Sequence, residues 1–454
     1  MARFTIHPFR AYRRARHTGQ LQASPPAVLT GSFLLLILLG TALLLLPAAQ
    51  ARPISFFQAL FTAASSVTVT GLTVIDLTTD LTILGQGIVL VLVQIGGIGF
   101  VTFAIVASLT LGKRLSLRYQ ALALEAFNQT SVARIGHTAA TVIKFTLAIE
   151  AAAILVLTLW WWRNDSLSHA FPMAVFHAVS AFNNAGITLF SDSLERFVGD
   201  PVTTFVITGC IILGGIGFSV LADIYQKRAW QSLAYYTRIM LIATLVLNLS
   251  AWALFWLIES QNAATLGGMP LASQGLAAWT QVVGARTAGF ASMDVSQLRD
   301  STRFLLVILM FIGGGSLSTA SGIKLGTFII LIAVVRAYVL QRKEIVLMHR
   351  RIAPEAVHKA LALLMVSGTL VCAGVFLLSL LEHQPFMTIL MEVMAAFSTT
   401  GLSPDLTHTL SLPGQVLLMV LMFIGRVGPL TLVYSLGTQR NSRVRYPEGT
   451  IQIG

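Results

Sequence analysis

Residues 57–72 read FQALFTAASSVTVTGL, a short apolar stretch that ends in small polar residues and a glycine, Gly71. The stretch is too short to cross a membrane, because about 20 apolar residues are needed to span roughly 30 Å of hydrocarbon. The pattern returns three times, as FHAVSAFNNAGI (176–187, Gly186), AAWTQVVGARTAGF (277–290, Gly289) and MEVMAAFSTTGL (391–402, Gly401). Four copies of one pattern predict an internal fourfold repeat, and such repeats decide the architecture.

A second glycine motif follows each copy, inside a longer apolar run. The interval between the two motifs is 24 to 28 residues in all four copies, which is hard to obtain by chance. The motifs are Gly96-Gly97-Ile98-Gly99, Gly214-Gly215-Ile216-Gly217, Gly313-Gly314-Gly315-Ser316 and Gly425-Arg426-Val427-Gly428. Each repeat therefore joins a short re-entrant segment to a long membrane span.

The composition around these repeats indicates an integral membrane protein. Of the 454 residues, 55% are hydrophobic and only 11% are charged, whereas an average soluble domain has roughly 25% charged residues. The first apolar run exceeds the 7 to 15 residues of a secretion signal, which favours a retained anchor. Eight runs are long enough to cross a bilayer: 28–48, 82–106, 139–161, 201–224, 239–260, 304–335, 360–381 and 413–436.

The charges predict how these spans are oriented. The N-terminus and every second segment hold 21 of the 30 Lys and Arg residues, the opposite loops hold 6, and 3 lie within spans. Because basic residues accumulate on the cytoplasmic side, both termini are predicted in the cytoplasm, with the chain in the cell (inner) membrane. The inner segments net +17 and the outer loops −5. The overall charge of +12 thus reflects topology and gives no support to nucleic-acid binding.

The predicted fold is an all-α polytopic membrane protein. It has four parallel helix–pore-loop–helix repeats, with eight spans, around a pseudo-fourfold axis as in potassium channels. Each repeat contains two spans, so all four begin on the same side, unlike the inverted repeats of many carriers. The predicted segments are a cytoplasmic N-terminus (1–27), repeat 1 (28–106), repeat 2 with a cytoplasmic linker (107–224), repeat 3 (225–335), repeat 4 (336–436) and a cytoplasmic C-terminus (437–454).

The short segments suggest a chemistry as well as a fold. Non-helical backbone at membrane depth is tolerated only where it is buried in protein or lines water. Four loops that converge on one axis place carbonyl oxygens along a shared path, and such rings can replace the hydration shell of a monovalent cation. For any one loop taken alone, an ordinary glycine turn is an equally good interpretation.

The loop Thr68-Val69-Thr70-Gly71-Leu72 resembles the filter loop of potassium channels without its second glycine and tyrosine. SSVTVTGLTVIDL, FNNAGI, ARTAGF and FSTTGLSPDL resemble loops of the Ktr/Trk/HKT superfamily of potassium transporters, closest to its KtrB group, and the match covers residues 28–436. Ile187 departs from the aromatic residue common after the second filter glycine. The resemblance implies a potassium filter lined by Thr68, Val69, Thr70, Gly71, Asn184, Ala185, Gly186, Thr287, Ala288, Gly289, Thr399, Thr400 and Gly401.

The second span of repeat 3 contains a run of poor helix formers at 313–322, which predicts a break in the helix. By the same resemblance this run is an intramembrane gate below the filter; close helix packing through small residues is the alternative. Arg426 replaces a glycine of the other repeats, and a buried arginine suggests function, with an ion pair to Glu150 as the alternative. The predicted gate residues are Gly313, Gly314, Gly315, Ser316, Ser318, Thr319, Ser321, Gly322, Lys324 and Arg426.

Three further side chains have weaker interpretations. Lys324 follows the broken stretch and either acts with Arg426 or extends its amine towards the cytoplasmic surface. His177 and Glu392 lie on the short apolar stretches and are interpreted as packing or mouth residues.

The resemblance also implies partners. These are a second copy in a homodimer, membrane lipid, and a cytoplasmic KtrA-like regulatory ring that binds ATP and ADP. Potassium is the implied transported ion, with uptake that often depends on sodium. The chain is predicted not to be an enzyme, since it has no P-loop, HExxH or GxSxG motif. Two rival hypotheses are a secondary carrier for another small cation or solute, and an intramembrane hydrolase that uses the Ser-rich stretch 316–321.

Overall fold

The computed structural model describes residues 25–99 and 135–429, with side chains described in 30–99 and 140–429. The predicted cytoplasmic C-terminus, nearly all of the N-terminal segment and most of the linker after repeat 1 lie outside the described residues. So do the last residues of the predicted spans 82–106 and 413–436.

The described chain is mainly helical. Short 3-10 turns at Pro47–Ala49, Glu195–Phe197, Trp230–Ser232, Val295–Gln297 and Thr407–Thr409 connect the helices. In chain order the helices are α1 (Pro25–Leu44), α2 (Phe56–Thr68), α3 (Leu77–Asp80), α4 (Ile83–Ile98), α5 (Ile135–Trp161), α6 (Leu167–Phe182), α7 (Pro201–Ile216), α8 (Phe218–Lys227), α9 (Tyr235–Glu259), α10 (Leu271–Ala285), α11 (Asp300–Phe311), α12 (Leu325–Val339), α13 (Pro354–Leu381), α14 (Phe386–Phe397) and α15 (Leu412–Val427).

Each of the four short apolar stretches forms a helix that packs between a long helix and an inner helix. The short helices are α2, α6, α10 and α14. Each contacts the long helix before it (α1, α5, α9 or α13) and the helix after it (α4, α7, α11 or α15), which we call the inner helix. Each inner helix also contacts the short helix of the next repeat, in the pairs α4–α6, α7–α10, α11–α14 and α15–α2. The last pair returns to the first repeat, so the contacts between repeats form a closed cycle.

Local sequence signals set where these helices begin. Ser55 and Gln58 form a reciprocal capping box at the start of α2, with both backbone amides satisfied. Asp200 caps α7 and is followed by a proline, which is favourable at the first helical position because its missing N–H would be unsatisfied there. Ser411 accepts from the amide of Gly414 at the start of α15.

Three described helices are each long and apolar enough to cross a membrane: the part of α5 from Ala140 to Trp161, α9 and α13. A fourth crossing is obtained if α7 and α8 count as one span. Large apolar side chains stay exposed on the long helices, as with Leu257 and Met365, which suits contact with lipid tails. The helices thus have the length and composition of a multi-pass membrane protein.

The second spans are interrupted where the sequence suggested continuous helices. The apolar run 201–224 bends by 96° between α7 and α8, at Gly217 with φ of 109°. Helices α4 and α15 end immediately before Gly99 and Gly428, with φ of 90° and 94°. Only glycine adopts such angles readily, so the last glycine of the second motif ends a helix in three repeats.

The third repeat and the segment after it depart further from regular helix. The run 304–335 is divided into α11 and α12 by the non-helical residues 312–324. Beyond α12, β1 (Val346–Leu347) and β2 (Arg350–Arg351) form an antiparallel hairpin, so the expectation of an all-α chain misses one small sheet. Its two turn residues both have positive φ, as a type I′ hairpin turn requires.

Candidate ion pathway and gate

The four loops that follow the short helices share one backbone conformation. Positive φ occurs two residues before each motif glycine, at Val69, Asn184, Thr287 and Thr399, with values of 50° to 67°. The glycines themselves have φ of 63° to 94°. Positive φ is uncommon outside glycine, and its occurrence at four equivalent positions means that the loops are alike although their sequences agree only at glycine.

Each of these glycines lies against a carbonyl oxygen of the next loop. A Cβ built on Gly71 would lie 2.3 Å from the oxygen of Ala185, which leaves no room for any side chain. The same holds at 2.3 Å for Gly186 and Ala288, at 2.1 Å for Gly289 and Thr400, and at 2.1 Å for Gly401 and Thr70. The contacts run from loop 1 through loops 2, 3 and 4 back to loop 1, so four equivalent carbonyl oxygens lie around a common centre.

Hydroxyl groups in two of the loops bond to each other inside the protein. In loop 1, the hydroxyls of Thr68 and Thr70 are 2.7 Å apart. In loop 4, those of Ser398 and Thr400 have the same separation. Loops 2 and 3 carry asparagine or arginine where loops 1 and 4 carry threonine or serine, so the surroundings of the four loops are not chemically fourfold.

The first glycine of the second motif allows an inner helix to approach a short helix. A Cβ on Gly96 would lie 2.1 Å from the carbonyl oxygen of Val67, near the end of α2. For Gly214 and Phe182, and for Gly425 and Phe397, the corresponding distance is 1.9 Å. Close packing of helices therefore explains the first glycine of the motif in three repeats, whereas in repeat 3 Gly313 faces Ser321 of the same interrupted segment.

That interrupted segment, residues 312–324, folds back on itself at its base. The amide of Gly313 donates to the carbonyl of Ile323 at 2.8 Å, and the amide of Ile323 donates to Phe311 at 3.2 Å. It is attached to repeat 2 near its start, because Gly315 donates to the carbonyl of Gly215 at 2.8 Å. We call residues 313–322, where the sequence predicts a gate, the gate segment.

Thr319, in the gate segment, is in direct contact with the second loop. Its hydroxyl lies 3.1 Å from the carbonyl oxygen of Phe182 and 3.2 Å from Oδ1 of Asn184, and it can donate to either. Its amide donates to the carbonyl of Gly214 at 3.2 Å. With 1% of its surface exposed, Thr319 connects the gate segment to the loop next to the shared centre.

Arg426, from repeat 4, also bonds to the gate segment. Its guanidinium donates to the Thr319 carbonyl and, at 3.1 Å, to Oγ of Ser321. It also donates to the carbonyls of Gly96 and, at 3.0 Å, of Gly97. One side chain thus links repeats 1, 3 and 4, and these acceptors are all uncharged.

The alternative of an ion pair between Arg426 and Glu150 is not what the structure shows. Glu150 is 4% exposed and accepts hydrogen bonds from Gln94 at 3.0 Å and from Asn183 at 3.2 Å. Lys324 does not extend towards the cytoplasm, since its amine donates to the carbonyl of Ala320 inside the gate segment. Both cations near the break therefore bind its backbone.

Ser318, another predicted gate residue, and the two short-helix side chains have their hydrogen-bond or ring partners inside the protein. Ser318 donates to the carbonyl of Gly315 at 2.7 Å, within the gate segment. His177 is fully buried and stacks on Phe190, with ring centroids 4.5 Å apart. Glu392, also fully buried, accepts from Ser403 at 2.6 Å and from Thr407. The two short-helix residues are packed inside the protein and do not line a mouth.

Arg286 is a buried residue that sequence reasoning missed. The charge count placed it in an outer loop, but its side chain is only 8% exposed and contacts Asn248 of α9. Its position inside the third copy of the motif, three residues before Gly289, was the available signal. The polar Asn248 within an apolar span was a second one.

Acidic residues gather beyond the loops, in segments that the charge count predicts to face outward. An aspartate follows each motif glycine by four to six residues: Asp76, Asp192, Asp294 and Asp405. Burial raises the pKa of Glu195 above its usual value, and the neighbouring charges of Asp294, Asp192 and Asp405 raise it further. Repeats 2, 3 and 4 therefore share a negative region that attracts cations.

Full-length similarity connects this geometry with known transporters. The sequence pattern of TrkH, described as a cation transport protein, matches residues 1–438. The Ktr system potassium uptake protein B of Bacillus subtilis is 42% identical over 431 residues, which cover 95% of this chain and 97% of that protein. Its namesake in Vibrio alginolyticus is 39% identical, with coverage of 94% and 95%. The potassium/sodium uptake protein NtpJ of Enterococcus hirae is 32% identical, with coverage of 95% and 97%.

A solved structure supports the fold. The potassium transporter TrkH from Vibrio parahaemolyticus superposes with a TM-score of 0.67 at 18% identity, over 89% of this chain and 84% of that one. The resemblance drawn from the loop sequences is confirmed by the family match to residues 1–438 and by the similarity to the Bacillus subtilis protein over 95% of this chain. The chain belongs to the TrkH family of cation transport proteins, membrane-embedded ion transporters and not enzymes.

Proposed function

We propose that this chain mediates potassium uptake across the cell membrane through one central pore, with the four loops as its filter. The observation that carries the proposal is the cycle in which each motif glycine lies against a carbonyl of the next loop. Carbonyl oxygens around a common centre can replace the water shell of a monovalent cation. The names of relatives as potassium uptake proteins support potassium as the ion, and the name of NtpJ adds sodium.

The proposed architecture is four parallel repeats with eight spans around a pseudo-fourfold axis, and both termini in the cytoplasm. Two observations support it: the inner helix of each repeat packs on the short helix of the next in a closed cycle, and basic residues concentrate in the segments assigned to the cytoplasm. The filter comprises residues 68–71, 184–186, 287–289 and 399–401. Because the residues behind the loops differ, we expect weaker selection of potassium over sodium than in a chemically symmetric filter.

The gate segment, with Lys324 and Arg426, is proposed to close the pore below the filter. Support comes from its contacts with two other repeats: Thr319 bonds to the second loop, and Arg426 of repeat 4 bonds to Thr319 and Ser321. By resemblance, a second copy of this chain and a cytoplasmic KtrA-like ring that binds ATP or ADP complete the system. Dependence on sodium is proposed on the same ground.

Complementation tests the proposed function directly. Expression in a bacterium that lacks its own potassium uptake systems is expected to restore growth at low potassium and to produce rubidium uptake. Excess external sodium tests selectivity in the same strain. Absence of rubidium uptake by protein that is present in the membrane would reject the proposal, and uptake of another solute that is insensitive to filter-loop substitutions would favour the secondary carrier.

The negative outer region is expected to affect ion capture. Glu195→Gln should raise the rubidium concentration for half-maximal uptake by up to about twofold at low ionic strength, because one attracting charge is lost. Since the pKa of Glu195 is raised, this residue takes up a proton at a higher pH than an ordinary glutamate. External acidification should therefore raise the rubidium concentration for half-maximal uptake by the original chain. The difference between this concentration and that of the variant should become smaller.

The control for this prediction is Glu355→Gln, which removes a carboxylate from the first turn of α13, at the end assigned to the cytoplasm. It should leave the half-maximal concentration unchanged from outside. An equal effect of the two substitutions, or a Glu195 effect that does not decrease with added salt, would contradict an electrostatic role.

A further inference from the structure

Arg286 is a buried arginine between the third loop and the gate segment. It directly precedes Thr287, which belongs to the loop, and its side chain is 8% exposed. One guanidinium nitrogen donates to Oδ1 of Asn248 at 2.8 Å. The other terminal nitrogen lies 3.4 Å from the carbonyl oxygen of Gly313, the first residue of the gate segment. A single side chain thus connects the filter, α9 and the start of the gate.

A buried guanidinium in a membrane protein is costly unless its donors are satisfied. The two acceptors found for Arg286 are both uncharged, and its Nε has no hydrogen-bond partner among the described residues. Beside it lies a small cavity of mixed lining, with the polar Asn184 and Asn248 and the apolar Ile211, Ile212 and Val283 among its residues. The cavity has room for about one water molecule. Because burial of a charged side chain here costs free energy, the presence of Arg286 needs a reason beyond the packing of repeat 3.

The position of Gly313 supplies that reason. Helix α11 ends at Phe311, and the chain turns into the gate segment immediately after it. The later residues of the segment are held by a second arginine, since Arg426 binds Thr319 and Ser321. Two arginines from different repeats therefore hold the gate segment, one near its far end and the other at its origin.

We propose that Arg286 is a positioning residue for the gate. It fixes the carbonyl of Gly313 relative to the filter, so that the gate segment closes the path below it. The planar guanidinium suits this role, because its fork can hold Asn248 and Gly313 at the same time, whereas an ammonium group offers no fixed geometry. The proposal rests on the proposed function, in which the gate segment controls ion flux.

The test compares two backgrounds. Arg286→Lys and Arg286→Met are made in the full chain and in a chain that lacks residues 315–321, all expressed without a regulatory partner. Rubidium influx, the rubidium concentration for half-maximal influx and the amount of protein in the membrane are measured. Arg303→Met is the matched control, because Arg303 donates to the carbonyls of Val295 and Ser296 in an outer loop, away from the gate.

In the full chain, both Arg286 variants should raise basal influx about threefold or more, since loss of a charged hydrogen bond frees the start of the gate. The half-maximal concentration should change by a smaller factor than the influx, because none of the predicted filter residues is substituted. In the shortened chain, the same substitutions should have no effect. An unchanged influx in the full chain would overturn the proposal, as would a decrease by the same factor in both backgrounds, which is the signature of a purely structural role.

Asn248→Leu provides a second variant if Arg286 substitutions fail to reach the membrane. It leaves the arginine in place but removes one of its two acceptors, so the carbonyl of Gly313 is held less firmly. A rise in influx that depends on residues 315–321 supports the proposal, and no rise overturns it. If the unsubstituted chain itself takes up no rubidium, the proposed function fails, which is a separate and distinguishable result.

Discussion

Gly289→Ala and Gly401→Ala are each expected to lower rubidium uptake about tenfold or more. Both glycines have positive φ, of 77° and 78°, and the left-handed conformation costs other residues about 1–2 kcal/mol. A tenfold effect corresponds to about 1.4 kcal/mol. The new methyl group would also lie 2.1 Å from a carbonyl oxygen of the adjacent loop. That oxygen must move, and it is one of the four that are proposed to bind the ion.

The controls are Gly209→Ala and Gly87→Ala. A Cβ at either position meets no atom within 4 Å, and both residues lie inside helices, where alanine is favourable. Uptake per amount of membrane protein should be preserved in these variants. Gly71→Ala and Gly186→Ala make equivalent contacts and should resemble the first pair. Full uptake in any of the four filter variants would argue against a shared ring.

Deletion of residues 315–321 is expected to raise rubidium influx about tenfold or more when no regulatory partner is present. The deletion removes Thr319, which attaches the gate segment to the second loop, together with the acceptors that Arg426 binds there. An open path below the filter would then replace a closed one. The deletion joins Gly314 to Gly322, and a Cβ on Gly322 would lie only 3.4 Å from Cα of Gly313, so the new ends are already close.

Single substitutions provide matched controls for this deletion. Thr319→Val removes the hydroxyl that bonds to the second loop, whereas Ser318→Ala removes one that bonds only within the gate segment. Influx should increase for the first and stay near its original level for the second. If the deleted chain is abundant in the membrane and its influx is unchanged, the segment is not a gate.

Arg426→Ala is expected to alter rubidium affinity or turnover without loss of folded protein. The substitution removes the contacts of Arg426 with both the first repeat and the gate segment, and hydrogen bonds from a charged donor are worth about 1.5–3 kcal/mol each. The increase in flux should be smaller than for the deletion, because Thr319 can still bond to the second loop. Unchanged rubidium uptake would instead favour a structural role.

The sequence alone contained much of the fold and of the candidate site, because repetition in a chain is visible without coordinates. The four motif glycines and the run of poor helix formers at 313–322 are local properties, and Arg426 stands out as a charge inside an apolar span. The loop sequences also carried the family resemblance, which full-length similarity confirms.

Contacts between segments that are distant in sequence were decided only by the tertiary structure. The role of Gly96, Gly214 and Gly425 depends on the carbonyls of another helix in the same repeat. The partners of Glu150 and the burial of Arg286 depend on which helices pack together, and a count of charges by loop could not reveal either. Backbone preferences act over a few residues, so sequence can predict them; hydrogen bonds and steric contacts depend on atoms that only folding brings together.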